Sequence, residues 1–167
     1  PATAPDAAET LRRAAGAAAR SLGGVGTAVF ALPATDAAQV GAVVEGALEG
    51  AYSFDRYRTP AKAPLGAVVV AGPAAGKDKD AAAAVERGRV VALAVCGARD
   101  LVNTAPRDLN PVTFADLATT LGTAAGLDVE VLDEVALAAG GYGGIVGVGQ
   151  GSGTPPRLVR LSWEPKR

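Results

Sequence analysis

The sequence predicts an α/β layered architecture. Three observations carry that prediction. Apolar residues recur at helical spacing in several alanine-rich stretches. Short valine-rich runs, bounded by glycine or proline, lie between them. The two patterns alternate along the 167 residues, with no internal repeat.

Asp6 to Leu22 reads as the first helix. Asp6 and Glu9 have capping-box spacing, and Leu11, Ala15, Ala18 and Leu22 fall on one face. Gly23 and Gly24 end it. Val25 to Leu32 is a short apolar run with the character of a buried strand, closed by Pro33. In the second helix Val40, Val43, Val44, Ala47 and Leu48 follow the i, i+3, i+4, i+7, i+8 pattern, and Asp36 with Gln39 can cap its start. After "YSFDRYR" (Tyr52 to Arg58) and a loop with Pro60 and Pro64 comes a strand, Gly66 to Gly72. A long helix is predicted from Asp80 to Asn103. Its middle, Val90 to Cys96, is apolar all round and is expected to be buried on most sides.

Thr104-Ala105-Pro106 stops the long helix, because a residue before proline disfavours the helical region. The stretch from Thr104 to Asn110 is therefore the expected domain boundary. Asn110 as N-cap and Pro111 in the first turn start the next helix, with Phe114, Leu117, Ala118 and Leu121 as its apolar face. Leu127 to Glu134 alternates like a half-buried strand. "EVALAAGGYGG" reads as a short helix ending at glycine, and Arg157 to Trp163 as the last strand.

Composition excludes several classes. Lys and Arg total 16 against 17 Asp and Glu, for a net charge of -1, so charge gives no reason to expect nucleic acid or an anionic membrane as partner. The single cysteine, Cys96, rules out a disulfide within the chain. No apolar run approaches the roughly 20 residues of a membrane span, and no signal-peptide pattern opens the sequence. These features predict a soluble intracellular protein. His is absent, and so is Met, including at position 1. The expectation is a piece of a larger polypeptide.

No stretch read alone makes a convincing active site. "GAVVVAGPAAGKD" (Gly66 to Asp78) looks like a phosphate loop, but only three residues separate Gly72 from Gly76, and Asp78 follows Lys77 where Ser or Thr is needed. Gly147, Gly149, Gly151 and Gly153 alternate without a dinucleotide fingerprint and precede a strand, so turns and close backbone approach are expected of them. Without His, a metal site would need carboxylates, alone or with Cys96. The acidic run Asp128, Glu130, Asp133 and Glu134 reads as a solvated face. Cys96 reads as a small core residue rather than a nucleophile. No Ser can have a His base within this chain.

Three stretches taken together resemble the leucyl aminopeptidases that carry two metal ions. They are "EGALEGAYSFDRYR" (Glu45 to Arg58), "ARDLVNTAPRDLNPVTFAD" (Ala98 to Asp116) and "GGYGGIVGVGQGSGTPPRLVRLSWEP" (Gly140 to Pro165). The second is the most specific, and the order is the family's. Tyr142 stands where this family commonly has Met. The resemblance implies a partial macro-like N-terminal α/β domain over residues 1–78, a long connecting helix over 79–104, and the beginning of an α/β peptidase domain over 105–167.

The resemblance also implies an activity for the whole protein. Two divalent metal ions, manganese or zinc, would activate a bridging water and polarise the scissile carbonyl of a peptide's N-terminal residue. The family is cytoplasmic and hexameric, so peptide substrates, the remaining peptidase domain and identical subunits are the implied partners. Its catalytic lysine and its Asp-Ser-Gly-Gly and Asn-Thr-Asp-Ala-Glu-Gly-Arg motifs do not occur in this sequence. No catalytic, cofactor-binding or metal-binding residue is therefore assigned here, and the chain alone is expected to be inactive. The competing reading is a non-catalytic ligand-binding or regulatory α/β module. The last strand and the long helix are also expected to leave apolar surface uncovered, which favours association.

Overall fold

Helix α1 (Ala7–Ser21) starts where the Asp6 side chain accepts a hydrogen bond from the Ala8 N–H at 3.1 Å. Glu9 does not complete a capping box. Its carboxylate instead takes both Nε and NH2 of Arg12, at 2.7 and 2.8 Å. The structure, a computed structural model, describes residues 6–59, 62–72 and 79–165. The chain forms two units, divided between Asn103 and Thr104.

In the first unit, β1 (Thr27–Phe30) and β2 (Ala67–Val70) pair in parallel, with Thr27 opposite Ala67 and Phe30 opposite Val70. The strand predicted as buried is shorter and one-sided: Ala28 and Phe30 face the core, while Thr27 and Val29 are exposed. Helix α2 (Ala37–Gly50) is capped by Asp36, which accepts from the Gln39 N–H at 2.8 Å. The Gln39 side chain accepts from the Thr35 N–H rather than reaching back to Asp36. Val40, Val43, Val44 and Ala47 are buried as their spacing predicts, and Leu48 is half-buried. The core joins Leu11, Ala15, Phe30, Val40, Val43 and Leu65.

Glycine sets how closely these helices approach. A Cβ built on Gly46 or Gly50 would collide with the backbone of Arg12 or Gly16 on α1. On the other side, helix α3 (Lys79–Asn103) meets α2 at Gly88, where a Cβ would stand 2.8 Å from the Gly41 carbonyl oxygen. This close approach corrects two sequence-based expectations. The buried face of α1 is Leu11, Ala15, Gly16 and Ala19, not the stripe through Ala18, which is exposed. In α3 the buried residues are Ala81, Gly88 and Ala92, while Val90 and Leu93 are each 53% exposed. The helix turns its smallest residues to α2, because only they let two backbones come this near, and its larger side chains face outward.

The second unit repeats the pattern. Helix α4 (Pro111–Ala124) opens with a complete capping box: Asn110 Oδ1 accepts from Val112 and Thr113 N–H, and Thr113 Oγ1 accepts from the Asn110 N–H. Its buried residues are Ala115 and Gly122. Of the predicted face, Leu117 and Ala118 are half-buried, but Phe114 and Leu121 are exposed. The reason is again close approach: a Cβ on Gly122 would come within 2.7 Å of Val129 and 3.1 Å of Leu161. Gly126, at φ +74°, turns the chain into β3 (Asp128–Leu132), which pairs antiparallel with β4 (Leu158–Ser162). Between the strands lie α5 (Glu134–Ala139), ending at Gly140, and α6 (Gly143–Gly149). The expectation of turns for the glycine-rich segment is thus corrected in part. Its first half is helical, with Ile145 and Val146 N–H donating to the Tyr142 carbonyl at 3.0 and 3.1 Å. Among the described residues, no helix is long and apolar enough to cross a membrane.

Two variants test the close-approach account. Gly46→Ala should lower unfolding free energy by about 2 kcal/mol, the overpacking cost exceeding the helix-propensity gain. Gly97→Ala, where nothing lies within 4 Å of an added Cβ, should instead raise it by about 0.5–1 kcal/mol. Urea unfolding would measure both, and a shift of the same sign in each would refute the account. The exposed valines and leucine of α3 should also drive concentration-dependent association. Leu93→Lys should reduce it in sedimentation experiments, and a monomer at every concentration would contradict the expectation.

Candidate functional site

A polar cluster lies where the ends of α2 and α3 meet. Arg99, Asp100 and Asn103 share a face of the last turn of α3, by helical spacing. Tyr52 follows α2 directly. Its hydroxyl donates to Asp100 Oδ1 at 2.8 Å and accepts from Asn103 Nδ2 at 3.1 Å. The Arg99 guanidinium lies 3.8 Å from the centre of the Tyr52 ring and donates to the Glu49 carbonyl at 2.9 Å. A cation over an aromatic face and beside a helix C-terminus is favourable on both counts. Residues some fifty positions apart are thereby fixed together. They belong to two of the stretches that carry the family resemblance.

Loss of hydration pushes the Tyr52 hydroxyl above its ordinary pKa; the Asp100 charge adds to this, while Asn103 and Arg99 oppose it. The following turn is closed by Asp55, which accepts from Ser53 Oγ at 2.6 Å and Arg58 Nε at 3.1 Å. The Ser53 bond and then Arg58 hold the Asp55 carboxyl below its usual range. These contacts orient the chain; they offer no general base near a nucleophile.

Beside this cluster the first unit carries a cleft of about 610 Å³, whose lining includes Arg12, Arg13, Arg20, Arg99 and Glu49. Sequence reading missed both features. The i, i+7 spacing of Arg13 and Arg20 on α1 was the available signal for the cleft. Nothing local signalled that Tyr52 meets Asp100.

The candidates read from sequence take other places. Of the phosphate-loop stretch, residues 73–78, with Lys77 and Asp78, lie outside the described residues. Cys96 is half-buried, and burial pushes its thiol upward, away from the reactive thiolate. In the acidic run, Glu130 pairs across the sheet with Arg160 at 2.7 Å. Asp133 caps α5 by accepting from the Ala136 N–H at 2.8 Å, and Glu134 pairs with Arg157. Asp128 is exposed. Among the described residues, no three His, Cys, Asp or Glu side chains could together hold a metal ion. In the second unit Pro111, Ile145, Val148 and Pro156 line a mainly apolar pocket of about 480 Å³. The described lining holds no acid–base pair.

Comparisons with known proteins agree on one family. Residues 6–61 match the N-terminal domain of the cytosol aminopeptidase family, and residues 96–167 match its catalytic domain. The chain is 55% identical over 164 residues to a probable cytosol aminopeptidase of Streptomyces avermitilis, an alignment covering 93% of this chain and 31% of that one. A second, from Mycobacterium leprae, is 49% identical, with 96% of this chain and 31% of the relative covered. Among solved structures, the bottromycin maturation enzyme BotP in complex with Mn superposes with a TM-score of 0.84 at 39% identity, covering 99% of this chain and 35% of BotP. The chain thus spans about a third of the length of the relatives it matches.

The Tyr52 cluster makes a pH prediction. Its folded pKa is raised, so its contribution to stability is complete below the unfolded value of about 10 and is lost as pH climbs through the folded value. Tyr52→Phe should flatten the alkaline limb of unfolding free energy against pH, and remove a tyrosine that titrates above its ordinary value from the tyrosinate absorbance curve. An unchanged curve would show that the cluster does not hold.

Proposed function

The chain belongs to the cytosol aminopeptidase family, and from that premise we propose that it serves a metal-dependent enzyme releasing N-terminal residues from peptides. The observation that carries this reading is the match of both family domains, in order, within one chain. The reading assigns residues 1–78 to a macro-like N-terminal domain, 79–104 to a connecting helix and 105–167 to the start of the peptidase domain. The unbroken course of α3 from Lys79 to Asn103 supports the connector.

The whole enzyme is proposed to use two divalent ions, manganese or zinc, to act on peptides in the cytoplasm, and to assemble as a homohexamer. The described residues do not fit such ions. Asp133 and Glu130 are held by a helix cap and a cross-strand ion pair, and no metal-holding group forms among the described residues. This chain's part is to hold elements in place. The α2–α3 junction at Tyr52 fixes the connecting helix, and the caps at Asn110 and Asp133 fix the start of the peptidase domain.

An activity assay with a chromogenic leucyl substrate tests both halves of the proposal. The 167-residue chain alone should release nothing, with or without added manganese. A protein of the relatives' length that contains this chain should release leucine, and a chelator should abolish it. Chelator-sensitive turnover by the isolated chain would overturn the scaffold role. No turnover by the longer protein would overturn the aminopeptidase reading.

A further inference from the structure

The cleft in the first unit has features the peptidase reading does not use. It lies along the crossing of α1 and α2, with Gly16, Gly46 and Gly50 in its lining. Four guanidinium groups and one carboxylate, that of Glu49, line it in a chain whose net charge is -1. Positive charge is therefore concentrated here far beyond the chain's average, and a concave wall focuses it.

The four arginines divide into two pairs. Arg12 and Arg99 are committed: Arg12 to Glu9 and Glu49 at 2.7 and 3.4 Å, Arg99 to the Tyr52 ring and the Glu49 carbonyl. Arg13 and Arg20 are exposed and make no hydrogen bond or ion pair among the described residues; the Arg13 charge acts on Glu9 only at longer range. They stand two turns apart on α1, about 10 Å along its axis. Gly16 and Ala17 lie between them on the same face, so no bulky side chain bars a ligand from reaching both. Arginine's planar fork matches the oxygens of a phosphoryl group. A volume of about 610 Å³ suits a small molecule.

We propose that this cleft binds a small anion carrying two or more phosphate charges, bridged between Arg13 and Arg20. Arg12 and Arg99 add long-range attraction while remaining bound to their own partners. Glu49 does not repel the ligand fully, because Arg12 partly neutralises it. The cleft binds without chemistry, so its test reads binding and not hydrolysis, and its failure leaves the aminopeptidase reading untouched.

The experiment is calorimetric titration of the 167-residue chain with sodium tripolyphosphate at low ionic strength. One-to-one binding is expected, weakening as salt rises. The double variant Arg13→Ala/Arg20→Ala should lose at least about tenfold in affinity, since two charge-assisted contacts go with it. Arg13→Lys/Arg20→Lys should fall between, keeping charge but losing the fork. Arg107→Ala, on the second unit and almost fully exposed, should bind as the parent does. Because Arg13 and Arg20 are exposed, circular dichroism should report an unchanged fold in the double variants. The absence of binding, an affinity unaffected by the double variant, or equal binding of citrate at matched ionic strength would each overturn the proposal.

Discussion

The near-contact of helix backbones along α2 is the constraint on which the first unit depends. This chain is rich in alanine and glycine and poor in aromatic residues. A buried alanine offers few atoms, so it contributes to a core only when the opposing surface is close enough to touch it. Gly46 and Gly50 bring α1 near, and Gly41 with Gly88 brings α3 near. Valine is then left for the centre, where Val40 and Val43 are fully enclosed. The second unit applies the same solution on a smaller scale, with Gly122 admitting Val129 and Leu161.

That constraint also shapes the polar features. The α2–α3 approach places Tyr52 and the Glu49 carbonyl against the last turn of α3, where Arg99, Asp100 and Asn103 await them. The α1–α2 crossing, with Gly16, Gly46 and Gly50 in the lining, also carries the arginine-lined cleft. The junction and the cleft are therefore two consequences of one packing choice. Steric contact sets the helix positions. The hydrogen bonds at Tyr52, which remain partly solvated, fix the register of the last turn of α3 rather than its placement.

This explains what the sequence revealed and what it hid. Helix starts were legible at Asp6, Asp36 and Asn110, because a cap involves only neighbours in the chain. Buried faces were less so. Hydrophobic periodicity favours large side chains, and it pointed to Phe114 and Leu121 on α4 and to Val90 and Leu93 on α3. Packing favoured closeness and chose Ala115, Gly122, Gly88 and Ala92. α6 was hidden for a related reason: glycine is a weak helix former, so propensity argued for turns where four of seven residues are glycine. In the candidate sites, Asp133 reads as part of a solvated face and instead caps α5. The pairing of Glu130 with Arg160 required strand register, and that of Tyr52 with Asp100 required the fold itself.

An inversion of size follows, and it bears on how such a chain functions. Small residues are inside, and many of the large apolar ones are outside: Val102 and Leu93 on α3, Leu121 on α4, and Trp163 after β4. Water-exposed apolar area on this scale costs free energy, so any surface that covers it gains in proportion to the area removed from water. The charged residues are arranged oppositely. Glu130, Glu134 and Asp55 are paired with nearby arginines, whereas Arg13 and Arg20 in the cleft have no ion pair among the described residues. Among the described residues no buried side-chain polar atom lacks a partner, and unmet capacity lies in apolar faces and the basic cleft. Both kinds of unmet capacity lie at the surface, where a covering apolar face or a small anion can reach them.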